Sequence, residues 1–273
     1  MKLFVESAAV LGPGLTGWAD SRAVLAGEQE YQPAPFVAPA AELLPAVERR
    51  RTGSTVKLAL AAGQQALSSA GRSADSVATV FVSSGNDGDV INDICTTLAG
   101  SDRQVSPTRF HNSVHNAPSG YWGIAAHSQH PSTSLCAFDW SFSIGLLEAA
   151  TQLQVERTEV LLIAYDIPYP MPFAGIRRIE HPFGTALLMT RHCTERSIAG
   201  LAIELDQSPK PPSVMVDAML ESLRIGNPCA RALPLLAALA RAQSATITLQ
   251  RNAGQTMSIS VRGKTPGTEV QPA

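Results

Sequence analysis

The sequence predicts an α/β fold in which strands are covered by crossover helices. Short apolar, β-branched runs alternate with longer segments of helical period, as expected of successive strand–helix units. The intervening stretches carry the glycines and prolines that interrupt regular structure. With 45% hydrophobic residues over 273 positions, the chain can bury a sizeable core.

Leu3 to Leu11 reads as a buried first strand. Its context, MKLFVESAAVLGPG, is not expected to be a signal peptide, because Glu6 interrupts the apolar run and a single lysine makes a poor positive flank. Gln32 to Pro45, rich in proline and alanine, is expected on the surface with room for one short helix. Thr55 to Ala70 (TVKLALAAGQQALSSA) has apolar residues at helical spacing and stops at Gly71, a residue suited to a left-handed C-cap. Val77 to Val82 follows as a strand and Val90 to Ala99 as a helix. Ser132 to Ala137 reads as a buried strand, Ser141 to Leu153 as a helix and Glu159 to Tyr165 as a further strand. Beyond the proline-rich DIPYPMPFAG, Thr185 to Thr190 and Ile198 to Leu205 are two strands without room for a helix between them. The tail holds helices near Val214 to Leu223 and Ala232 to Ala242, then strands Thr246 to Leu249 and Met257 to Val261. No repeat of solenoid length is present.

Composition excludes several functions. A formal net charge of −2 with scattered lysine and arginine provides no basic face for a phosphate backbone, so nucleic acid is not expected as a partner. No apolar stretch approaches the roughly 18 residues of a membrane span. Cys95, Cys136, Cys193 and Cys229 lie far apart without a CxxC pair, which argues against a disulfide framework and a zinc ribbon and fits a reducing cytoplasm. Neither a metal nor a cofactor is expected.

Three motifs have the residue types of a chemical site. GPGLTG, Gly12 to Gly17, matches the glycine pattern of a dinucleotide loop, but the residues after it run into the proline-rich excursion, so a tight turn is the preferred reading. His111 and His115 are four apart and would share a face on a helix, yet FHNSVHNAPSG is rich in Asn and Ser and lacks the glutamate of a metalloprotease, which favours structural histidines. Cys136 follows an apolar strand and precedes a helix, where a helix N-terminus can activate a thiol. A buried cysteine acting as a small apolar residue is the plainer alternative.

The ordering LPAVERRRTGSTVKLAL, VFVSSGNDGDVINDI, SPTRFHNSVHNAPSGYWGIA, STSLCAFDWSFSIGLLEA and EVLLIAYDIPYP resembles the N-terminal half of a β-ketoacyl synthase. It is most similar to the short chain-length-factor-like proteins of aryl-polyene and xanthomonadin-type pigment clusters, over roughly residues 1 to 205. The resemblance implies a thiolase-like half, a mostly parallel sheet covered by helices over residues 1–205, with 206–273 as a reduced α/β tail packed on the same body. It implies a cysteine nucleophile at the start of a buried helix, completed in active synthases by two histidines from the C-terminal half. Here the last histidine is His192, and Phe138, Asp139 and Trp140 stand where small residues leave room for an acyl chain. Two functions follow. In the first, the chain is a non-condensing accessory of fatty-acid or polyketide-type polyene biosynthesis, a homodimer or a heterodimer with a ketoacyl synthase through the segment STSLCAF, in contact with acyl carrier protein. In the second, Cys136 with His111 or His115 forms a catalytic dyad that transfers or hydrolyses an acyl thioester.

Overall fold

The computed structural model describes residues 1–85, 87–156 and 158–264, so the tail is described as far as Lys264. In chain order the elements are β1 (Lys2–Leu11), α1 (Trp18–Ala26), α2 (Ala46–Arg51), α3 (Ser54–Ala70), β2 (Ala78–Val82), α4 (Gly88–Ala99), α5 (Pro107–Asn112) and α6 (Ala117–Ala126). Then come β3 (Ser132–Leu135), α7 (Ser141–Val155), β4 (Val160–Asp166), β5 (Phe183–Thr190), β6 (Ala199–Leu205), α8 (Ala218–Gly226), α9 (Leu233–Arg241), β7 (Ala245–Asn252) and β8 (Gln255–Gly263). The strands form one sheet in the order β3-β2-β4-β5-β1-β6-β8-β7.

The expected α/β class is present, with mixed strand directions where a mostly parallel sheet was expected. Only β2 pairs in parallel, with β3 and with β4. The other ladders are antiparallel. Connections explain this: helical crossovers return the chain in the same direction between β2, β3 and β4, whereas β4 reaches β5 through a loop with a single 3-10 turn and reverses. The two successive strands β5 and β6 are not neighbours. They lie on opposite edges of β1, staggered so that β5 pairs with Phe4–Leu11 and β6 with Lys2–Val5.

Helices cover both faces. On one, α3 and α6 bury Leu58, Ala62, Leu67 and Trp122 against Phe81, Ile163 and Leu188. On the other, α7 buries Phe142, Leu146, Ala149 and Leu153 with α9 and α8 against Val80, Leu162 and Leu187. Gly145 lets α7 lie flush on the sheet, since a Cβ there would stand 2.3 Å from Val82 Cγ1. The opposite side of α7 meets β7, where Ser143 Oγ bonds the Gln250 carbonyl. The helix is therefore sandwiched within the curl of its own sheet.

Local signals set the element ends. Gly71 caps α3 at φ 62, as expected. Asp217 accepts the N–H groups of Met219 and Leu220, both at 2.9 Å, and so starts α8 four residues after the expected Val214. The unanticipated helices include α5 and α6, which carry Pro107 and Pro118 as first and second residues, where a missing N–H costs nothing. α1 was likewise missed. GPGLTG forms the expected tight turn, closed by Gly12 and Leu15, but a helix does open behind it. A Cβ on Gly14 would fall 2.2 Å from the Gln32 carbonyl oxygen, so that glycine admits the protein's own backbone. The outer edge of β7 is occupied by the proline-rich strap before α8, through Ser213 N–H to Thr248 O at 2.9 Å. Among the described residues, no helix is long and apolar enough to cross a membrane.

Candidate functional site at the start of helix α7

The parallel strands β2, β3 and β4 end side by side and deliver three segments to one place: Ser83–Gly85, Cys136–Ala137 and Asp166. Loops beyond the carboxyl ends of parallel strands are where such sheets bind ligands. Ser83 N–H extends the ladder to Leu135 O at 3.3 Å, which brings the first two segments together. The Cys136 thiol is exposed and donates to the Ser84 carbonyl at 3.2 Å. A carbonyl satisfies a thiol but cannot take its proton.

Beneath that loop, Asp166 is buried. Its Oδ1 accepts the Ser83 hydroxyl at 3.0 Å and both the N–H and the hydroxyl of Ser84 at 2.9 Å. Burial pushes the Asp166 carboxyl above its ordinary range, opposed by the Cys229 thiol and by the Ser84 and Ser83 donors. Asn227 ties the tail to the same point, donating to Asp166 O at 3.2 Å and His181 O at 2.8 Å while its Oδ1 accepts Cys229 N–H. Burial, and then the Asp166 charge, raise the Cys229 thiol well above its usual value. That thiol is held protonated and inert.

The entrance to α7 is filled. Phe138 is a non-glycine residue at φ 53, a left-handed conformation costing about 1–3 kcal/mol and maintained only by its surroundings. Ser141 Oγ accepts Ala137 N–H at 3.0 Å and lies 3.1 Å from Ser83 O, which pins the turn. The Arg177 guanidinium stacks 3.6 Å above the Phe138 ring and pairs with Asp139 at 2.9 Å.

The expected site residues are distributed unevenly. His111 lies exposed on α5, its ring edge-on to Tyr121 at 5.8 Å. His115 follows in the turn before α6, so the two do not share a helix face. His115 is half-buried beside Ser83, with Nε2 shielded and without a partner among the described residues. Burial lowers its pKa, against the Ser83 backbone contact that raises it. His115 and Cys136 thus flank the same Ser83–Ser84 loop, but no described hydrogen bond joins the cysteine to either histidine. His192 follows β5 at Thr190, the opposite end of the sheet from Asp166, as the β4–β5 register requires. Sequence reasoning did not single out Ser84, Asp166, Arg177 or Asn227. An ionisable residue closing the apolar run VLLIAYD was the available signal for Asp166. Among the described residues, no group of three or more His, Cys, Asp or Glu could hold a metal ion.

Solved structures share this architecture. A ketosynthase (ApeO) in complex with its chain length factor (ApeC) from Xenorhabdus doucetiae is matched with TM-score 0.72 at 20% identity, covering 95% of this chain and 99% of that one. The ishigamide ketosynthase/chain length factor gives 0.70 at 12% identity over 97% and 99%. A β-ketoacyl synthase from Burkholderia phymatum gives 0.68 at 11% identity over 97% and 100%. At these identities the likeness shows the fold, a thiolase-like ketosynthase fold as the sequence resemblance implied. The search of curated proteins returns no match. The model of the β-ketoacyl synthase N-terminal domain matches residues 18–253, past residue 205 and through the tail to the end of β7. On that match, the chain belongs to the β-ketoacyl synthase N-terminal domain family.

Proposed function

We propose that the chain is a non-condensing, chain-length-factor-like accessory that pairs with a ketosynthase in fatty-acid or polyketide-type polyene biosynthesis. One observation carries this: the exposed Cys136 thiol faces a carbonyl and no base, while the turn that leads from it into α7 is taken up by the Phe138–Arg177–Asp139 stack. Similar solved structures include ketosynthase/chain-length-factor proteins and a ketosynthase with an acyl-carrier protein, which support this reading, alongside ketosynthases without a chain length factor. Acyl carrier protein is accordingly a second partner in this proposal, and a reducing cytoplasm is the compartment.

The docking edge we assign is β3, at one end of the sheet. Thr79 N–H bonds Pro131 O and Ser83 N–H bonds Leu135 O, so the alternate residues Ser132 and Ser134 turn their backbone groups outward. Exposed Phe110, Val114 and Ile124 on the nearby α5–α6 segment add apolar surface. Residues 1–205 form the synthase-like half in this scheme and 206–273 a tail on the same body, which the pairing of β8 with β6 supports.

Co-expression with a ketosynthase, followed by light scattering and by condensation assays on malonyl and acyl thioesters, tests the proposal. The expected result is a stoichiometric heterodimer, with no turnover from the chain alone. Missing transition-state donors typically cost about 10² to 10³ in rate each. A strictly monomeric chain that binds no synthase, or condensation that survives removal of contaminating enzyme, overturns it.

A further inference from the structure

On the face of the sheet covered by α3 and α6, three polar side chains from separate elements line one cavity of about 10 Å³. They are Thr55 in the first turn of α3, His115 in the turn before α6 and Tyr165 near the end of β4. Thr55 is 7% exposed and Tyr165 1%. Thr55 Oγ1, His115 Nε2 and the Tyr165 hydroxyl are each shielded, with no partner among the described residues. Local geometry does not relieve them. A hydroxyl in the first turn of a helix has no helical carbonyl one turn behind it to bond, and the Tyr165 ring is held edge-on to Phe81 at 6.4 Å. Two further polar residues of the wall are engaged elsewhere. Asn112 donates to Arg51 O at 2.8 Å and accepts from the Tyr121 hydroxyl at 2.9 Å, while Asp87 Oδ1 caps α4 through Val90 N–H at 3.1 Å.

The state of His115 sets what the cavity has to supply. Burial lowers its pKa and the Ser83 backbone contact raises it, as for a neutral imidazole whose N–H donates to the Ser83 carbonyl. Because Nε2 is the nitrogen without a partner, the proton sits on Nδ1, and Nε2 is an acceptor in need of a donor. The two hydroxyls can each donate or accept. A water meets all three demands, with one hydrogen for Nε2 and its second hydrogen and a lone pair for the hydroxyls. Three bonds are usual for a buried water, and roughly 10–15 Å³ of accessible volume is the room that one needs. An anion is opposed by the Asp87 carboxylate in the wall, and a hard cation prefers oxygen ligands to an imidazole nitrogen.

We propose that this cavity binds one water, which ties α3, the turn before α6 and β4 together beside the Ser83–Gly85 segment. Both nitrogens of His115 are then committed, so the ring cannot serve Cys136 as a base. The site rests on this geometry and not on partnership with a ketosynthase. A high-resolution crystal structure of the full chain should show a single ordered water about 2.7–3.2 Å from all three atoms. Crystals grown in rubidium chloride should give no anomalous peak at that position. In solution, Thr55→Val and Tyr165→Phe each remove a partner of the same water, so their shifts in urea midpoint should not sum to that of the double variant. The site is overturned by a position without density or filled by a protein atom, by the three atoms bonding directly to one another, by a rubidium peak, or by strictly additive variants.

Discussion

Replacing Asp166 separates its role as a hydrogen-bond acceptor from its role as a charge. Asp166→Asn keeps an Oδ1 for the Ser83 hydroxyl and for the N–H and hydroxyl of Ser84, and places an amide where Oδ2 has no described partner. Asp166→Ala removes the acceptor. The Ser83 hydroxyl also lies 2.7 Å from the Gly85 carbonyl, and the Ser84 hydroxyl can rotate, so the stranded group is the buried Ser84 N–H. An unsatisfied buried donor costs about 1–3 kcal/mol, and the small cavity adds about 1 kcal/mol, for a total of about 2–4 kcal/mol. At about 2–4 °C per kcal/mol for a chain of this size, the melting temperature should fall by roughly 4–16 °C.

The charge acts in the other direction. Because burial raises the folded-state pKa of Asp166, the stability it contributes is fully present below the unfolded value of about 3.9 and is lost as pH rises through the folded value. Asp166→Asn does not titrate, so its stability relative to wild type should improve as pH rises above the unfolded value of about 3.9 and level off once pH has passed the folded value. Urea unfolding followed by tryptophan fluorescence across that range measures both effects. A stability difference between Asp166→Asn and wild type that does not vary with pH, or an Asn variant as unstable as Asp166→Ala, would refute the reasoning.

Three further outcomes follow from the packing and the cysteines. Gly145→Ala should lower stability despite better helix propensity, since overpacking against Val82 costs about 1–3 kcal/mol against a propensity gain of about 1 kcal/mol, whereas Gly123→Ala, with open space around it, should gain about 0.5–1 kcal/mol. Thermal melts of the pair decide this, and a Gly145→Ala protein that melts higher shows that α7 has slack. Thiol titration of the native protein should label Cys95, Cys136 and Cys193 at similar rates and reach Cys229 only on unfolding; rapid selective labelling of Cys136 would instead favour the dyad. Ser134→Pro removes an outward N–H from β3 without touching its ladder to β2, so it should abolish association in light scattering while the melting temperature holds. Undiminished association would place the interface elsewhere.

The sequence by itself determined what neighbouring residues decide. The apolar period of Thr55–Ala70 and the stop at Gly71, and the strand runs of β1 and β4, are local patterns, and each appears where expected. The strand before Cys136 is present but ends at Leu135 and is a partly exposed edge strand, not the buried one expected over Ser132–Ala137, because edge position is a matter of sheet order. The family is legible too, because its motifs lie in contiguous stretches. Helices shorter than three turns and opened by proline escaped notice, because a brief period resembles a loop. Tertiary structure alone decided strand order and direction, since ladder pairing depends on connections and register between distant segments: β1 sits between β5 and β6, strands that follow each other in the chain. It alone decided the site as well. Asp166 meets Ser84 across 82 residues, and Arg177 meets Asp139 across 38. No local pattern records that the Phe138 ring lies under a guanidinium, because that contact exists only once α7 has packed on the sheet and the loop after β4 has come back over its start.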